Sequence, residues 1–165
     1  MHFGQNCTTK AKKLINFNPD IYKDITQSVE QEVRNTESKN IYQSLVRTRQ
    51  LLGYKLAYET LLPGKRSYDC YAGSLMGVIY ETGDVYPCEI LQDSKFGNLR
   101  EHGYDLNKIW RSEKADKTRK WLKKRLCSCT YECQHTCNTL YNIRYIPEYA
   151  KSMLRHGIIK LKKYA

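Results

Sequence analysis

Cys127-Ser128-Cys129-Thr130-Tyr131-Glu132-Cys133-Gln134-His135-Thr136-Cys137 puts four of the chain's seven cysteines within eleven residues. Two more, Cys70 and Cys88, flank an expected hairpin upstream. Thiolates at this density form a soft ligand set, suited to zinc or to an iron–sulfur cluster. The middle and end of the chain are therefore expected to be built around one thiolate-bound metal centre, with the earlier residues as a helical platform.

Working outward, Val78-Ile79-Tyr80-Glu81 and Asp84-Val85-Tyr86 read as short strands joined through Thr82-Gly83, because glycine tolerates the positive φ of a hairpin turn. Pro87 ends the ladder and delivers Cys88 at a rigid strand end. Phe96-Gly97-Asn98-Leu99 reads as a turn with a hydrophobic anchor, and Asp105 as the cap of a short helical segment ending at Trp110. Ser112 and Glu113 open a longer helix to about Arg125, with Trp121 and Leu122 inward and a lysine- and arginine-rich face that is solvated or steers an acidic partner. After the cysteine run, Leu140 to Ile143 reads as a short helix or coil, and Pro147 opens a last amphipathic segment.

Upstream, Asn18-Pro19 is a helix entrance, and Ile21, Ile25, Val29 and Val33 recur at four-residue spacing, predicting an amphipathic helix over about 19–34. Thr36 or Ser38 then caps a second helix, with Ile41, Leu45, Leu52 and Leu56 on one stripe, which Pro63-Gly64 stops. Tyr42, Tyr54 and Tyr58 are expected as half-buried rings at a helix–helix contact. Met1-His2-Phe3-Gly4 resembles the remnant of a strand from a larger domain.

The 165 residues fit one ordinary domain, or a small domain with a helical extension, that buries roughly two-thirds of its unfolded surface. Mean hydropathy is −0.70 and phenylalanines number three against fourteen tyrosines, so a bound metal would add folding free energy to a lean core. The net charge of +11 suits an anionic partner such as nucleic acid, nucleotide phosphates, an acidic protein or a lipid headgroup. No apolar window approaches the eighteen or so residues of a membrane span, and Met1 to Thr9 lacks the apolar centre of a secretory signal, so a cytoplasmic location is expected. In that compartment clustered cysteines are metal ligands rather than disulfides, while Cys7, alone in a polar stretch, is read as a free thiol.

Spacing narrows the chemistry. Zinc ribbons present two tight cysteine pairs, whereas Cys70-x(17)-Cys88 is held apart by a hairpin, which suits a cluster approached from several directions and still leaves zinc open. The run Cys70-Tyr71-Ala72-Gly73, Gly83-x(4)-Cys88-Glu89, Phe96-Gly97-Asn98-Leu99, Ile109-Trp110 and Cys127-x-Cys129-Thr130-x-Glu132-Cys133 resembles the C-terminal SPASM/twitch region of radical S-adenosylmethionine enzymes. Cys129-x(3)-Cys133-x(3)-Cys137 also approaches the C-x(3)-C-x(2)-C signature that binds their catalytic cluster, but its last interval is one residue too long and it lies at the wrong end of the chain.

The resemblance implies an α+β chain in three parts: a mostly helical segment 1–67, the tail of a partial α/β barrel; a small hairpin-plus-helix metal-binding domain over 68–142; and a helical tail 143–165. It further implies an auxiliary [4Fe–4S] cluster that relays electrons to or from a substrate radical or helps to position substrate. Cys70 and Cys88 match the family's first ligands and Cys133 a downstream one; Cys129 is favoured as the fourth over Cys127, with Cys137 in reserve and His135 as a surface residue. Full SPASM domains use C-x(2)-C-x(5)-C-x(3)-C and a later cysteine, so C-x-C-x(3)-C-x(3)-C with nothing after Cys137 fits the one-cluster, twitch-like form.

Backbone amides around Gly73, Gly83 and Thr130 are candidate donors to the sulfurs. No catalytic residues are assigned. S-adenosylmethionine would bind only a separate catalytic core, present in cis or in trans, so this chain alone is expected to be inactive in an oxidoreductase or peptide-modifying reaction. An anionic or peptide substrate is the further partner expected. The competing reading is a zinc-stabilised nucleic-acid-binding module using the basic helix, disfavoured because the tyrosines form no stacking platform and no reading helix follows at zinc-finger spacing.

Overall fold

A computed structural model describes residues 18–36, 38–62, 68–124, 127 and 129–164, without the side chains of 19, 132, 133 and 156–164. Met1 to Gly4, Cys7 and the Pro63-Gly64 helix stop lie outside the described residues. The architecture is α+β, with helices around one small antiparallel sheet.

Helix α1 spans Pro19–Asn35, its entrance capped by the Asn18 side chain, which accepts from the Asp20 N–H at 2.9 Å. Helix α2 spans Ile41–Leu61. Its cap is Asn40 rather than Thr36 or Ser38, and the Asn40 side-chain oxygen accepts from the Gln43 N–H at 2.8 Å. The apolar stripe of α1 turns away from the molecule, with Ile21 59 % and Ile25 60 % exposed, while Thr26 faces inward. The reason lies in α2, whose Leu52 and Leu56 pack on Tyr68 and Tyr145 and leave a polar face toward α1. Tyr42 is likewise exposed, and only Tyr54 and Tyr58 are the half-buried rings expected.

Strands β1 (Val78–Ile79) and β2 (Asp84–Tyr86) form the expected hairpin, pairing Val78 with Tyr86 and Ile79 with Val85. Gly83 sits at φ +86° in the turn, and its N–H donates to the Tyr80 carbonyl at 2.8 Å. A third strand, β3 (Gly97–Asn98), occupies the stretch expected as a turn and pairs Val85 with Gly97. Two residues show no period. The Asn98 amide holds the strand in place, donating to the Thr82 carbonyl at 3.0 Å and to Asp84 Oδ1 at 2.6 Å.

Helix α3 (Leu106–Trp110) is capped by Asp105, and α4 (Glu113–Lys123) by Ser112, whose hydroxyl accepts from the Ala115 N–H at 3.2 Å. Ala115 packs with Val85, Phe96 and Ile109, while Leu122 reaches the cysteine-bearing core. Helix α5 (Glu132–Leu140) runs through the second half of the cysteine run, and α6 (Ile146–Tyr164) closes the chain. Helix α2 lies against α1, α5 and α6 and so carries the cysteine-bearing half on the helical half. Among the described residues no helix is long and apolar enough to cross a membrane.

Candidate metal centre

Three separate segments deliver the cysteines to one place. Cys70 lies just ahead of the hairpin, Cys88 just after it, and Cys127 in the link between α4 and α5. Cys88 and Cys127 are buried with Ala72, Leu91 and Leu122, and the half-buried Cys70, Ile90 and Trp121 pack against them. Cys129 is equally buried, at 7 % exposure. Cys137, half-buried on α5, lies within electrostatic reach of Cys70.

The thiols sense one another. Burial pushes the Cys88 thiol up to about 11, and charge on Cys70 or Cys129 would raise it further. Backbone N–H groups of Leu91 and Ile90 donate to the same sulfur and oppose that rise. Burial, then Cys70, raises Cys137 as well. Among the described residues Cys70, Cys88, Cys127, Cys129 and Cys137 form no disulfide with one another. The Cys133 side chain lies outside the described residues, though its backbone is in the first turn of α5. Among the described residues no three His, Cys, Asp or Glu side chains stand close enough together to hold a metal ion.

Three hydrogen bonds lock the cysteine-bearing segments together. The Tyr68 hydroxyl donates to the Cys129 carbonyl at 2.7 Å, joining the approach to Cys70 with the link before α5. The Tyr71 N–H donates to Asn138 Oδ1 at 2.9 Å, joining the other side of Cys70 to α5 itself. The Tyr131 hydroxyl donates to the Glu89 carboxylate, joining the residue after Cys88 to the start of α5.

The donor set fits an iron–sulfur group: soft sulfur from several directions, an apolar wall, and N–H donors on a ligating-type sulfur. Two of the donors expected near the sulfurs are engaged elsewhere. The Gly73 N–H bonds the carbonyls of Met76 and Pro87 at 2.7 and 3.1 Å, and the Gly83 N–H closes its own turn. The amides of Ile90 and Leu91 take that role at Cys88. The bend that follows Pro87-Cys88 turns them back on the sulfur, an arrangement without side-chain signature.

His135 corrects the expectation of a surface residue, being only 2 % exposed. Its ring meets Tyr68 edge-on, with centroids 5.1 Å apart, and Nε2 lies 3.2 Å from the Cys129 carbonyl oxygen. Gln134, Asn138 and Thr139 are buried beside it. This inward face of α5 is polar, so apolar periodicity does not reveal it.

Residues 70–138 match the family model of SPASM, an iron–sulfur cluster-binding domain. No curated protein and no solved structure matches the chain. The match begins at Cys70 and ends one residue beyond Cys137, enclosing all six cysteines considered above. Over these 69 of its 165 residues the chain is similar to a SPASM iron–sulfur cluster-binding domain.

Proposed function

We propose that the domain holds one auxiliary [4Fe–4S] cluster on Cys70, Cys88, Cys129 and Cys133, as the C-terminal portion of a radical S-adenosylmethionine oxidoreductase or peptide-modifying enzyme. The observation that carries the reading is the convergence of Cys70, Cys88, Cys127 and Cys129 from three chain segments inside a matched iron–sulfur domain. Cys129 is preferred to Cys127 because the Tyr68 hydroxyl anchors its backbone and its charge is felt at Cys88. Cys127, packed with Cys88, and Cys137 are the reserves.

When bound, the group supplies a reversible one-electron store for exchange with a substrate radical. The chain's own residues set the conditions. Leu91, Leu122 and Trp121 exclude water from the sulfurs, and the amides of Ile90 and Leu91 spread negative charge off Cys88. The catalytic half, with its own S-adenosylmethionine site, would be supplied in cis or in trans.

An anionic or peptide partner is supported by the cavity of about 810 Å³ between α1, α2 and α6, where Lys23, Lys55, Lys151 and Arg155 outnumber Glu30 and Glu148. Protein purified and reconstituted without oxygen is expected to carry about four irons and four sulfides. Stoichiometric zinc without sulfide would sink the proposal and leave the zinc-stabilised reading. Binding of an acidic peptide that weakens steeply with added salt would support the partner assignment.

A further inference from the structure

Asn138 is fully buried at 0 % exposure, and its side-chain amide is used on one side only. Oδ1 accepts from the Tyr71 N–H at 2.9 Å. Nδ2 has no hydrogen-bond partner among the described residues. The orientation of the amide is chemically determined, because a flip would set the NH2 group against the Tyr71 N–H, donor against donor. A buried N–H left without an acceptor is costly and rare, so the missing partner is itself informative.

The surroundings indicate what that partner is. Tyr71 is bonded to Cys70 and Asn138 follows Cys137, so the hydrogen bond between Tyr71 and Asn138 ties these two cysteine-bearing segments together. The amide therefore sits where the Cys70 segment meets α5. At Cys88 the sulfur already receives backbone N–H donors from Ile90 and Leu91. The Gly73 amide near Cys70 is spent on the carbonyls of Met76 and Pro87.

We propose that Asn138 Nδ2 is a positioning donor to the sulfur of the bound group or of Cys70, and that it raises the reduction potential of the centre. The inference rests on the cluster reading above. Donation to sulfur stabilises the more negative, reduced state, so removing it makes the centre harder to reduce. The competing partner is Gln134, one turn earlier on the same buried face, whose Oε1 also has no partner among the described residues. If the two amides simply bond to each other, Asn138 is a structural residue and the potential does not depend on it.

The test uses the full chain, reconstituted anaerobically, as wild type, Asn138→Asp, Asn138→Leu and Gln134→Leu. Iron and sulfide are counted first: absence from the wild type defeats the cluster reading itself, and with it this inference, before any potential is measured. In loaded protein, Asn138→Asp keeps the acceptor for Tyr71 and removes the donor, while Asn138→Leu removes it without adding charge. Both are expected to shift the midpoint potential negative and to lose one exchangeable-proton coupling in the deuterium electron–nuclear double resonance spectrum of the reduced centre. Gln134→Leu should change neither.

Unchanged potential and coupling in both Asn138 variants, or a shift in Gln134→Leu equal to theirs, overturns the proposal. Should both Asn138 variants fail to fold, wild type grown with asparagine labelled with 15N at the side-chain amide decides it: a nitrogen coupling to the reduced centre supports the donor, and its absence overturns it.

Discussion

Gly73 shows how tightly single residues are constrained around the hairpin. Its φ is +71°, and a Cβ there would lie 2.8 Å from the Phe96 ring and 3.1 Å from Pro87. Its carbonyl accepts from Arg119 Nε at 2.6 Å, so the backbone cannot move away without losing that bond. Gly73→Ala is expected to cost about 2–4 kcal/mol, from left-handed strain and overpacking together, read as a fall in thermal unfolding midpoint. Cys88 carries a pH signature in metal-free protein. Below its ordinary value of 9.0 the thiol is neutral whether folded or unfolded; between 9.0 and about 11 the unfolded chain ionises while the folded one does not. Stability should therefore fall across that window, by on the order of 2–3 kcal/mol from this group. Cys137, Tyr145 and Tyr149 are raised by burial too and push the same way. Denaturant unfolding at about pH 8 and about pH 11 checks the sign; greater stability at the higher pH would contradict it.

Among the elements, α4 joins two parts of the core that, among the described residues, share no other helix. Ala115 closes the sheet side and Leu122 the cysteine side, so fraying at its entrance is felt at both. Ser112→Ala removes the hydroxyl that accepts from the Ala115 N–H and is expected to destabilise the protein by about 1 kcal/mol, with Ser112→Asp restoring most of the loss in the same thermal scan. Helix α5 illustrates a different dependence. Its inward face of Gln134, His135, Asn138 and Thr139 buries polar groups, so its position follows from hydrogen bonds to Tyr71, Tyr149 and Arg49 rather than from an apolar stripe. In α1 the stripe is present but unpartnered among the described residues, with Ile21 and Ile25 outward.

For the whole molecule, a bound metal group would act as a cross-link between segments that are far apart in sequence. Cys70, Cys88 and Cys129 enclose long stretches of chain, and joining them restricts the unfolded state, by about 3 kcal/mol or more for loops of this length. Chelation of the loaded protein should therefore lower its unfolding midpoint markedly, and Cys88→Ser should lower iron retention and thermal stability together. An unfolding midpoint that ignores chelation would show that the hairpin and α5 hold each other without metal, through the ties at Tyr68, Tyr71 and Tyr131.

Local chemistry was legible from residues alone wherever it depended on neighbours in the chain. The caps at Asn18, Asp105 and Ser112, the Gly83 turn, the hairpin and the cysteine-rich iron–sulfur character each rest on a few adjacent residues. What only the tertiary structure decided concerns contacts between distant segments. It set β3 beside β2 through Asn98, turned the α1 stripe outward, buried His135 under Tyr68, and aimed the amides of Ile90 and Leu91 at Cys88. The physical reason is common to all four: a two-residue strand, a polar helix face and a backbone N–H carry no periodic apolar signal, so their places follow from the partners that folding brings to them.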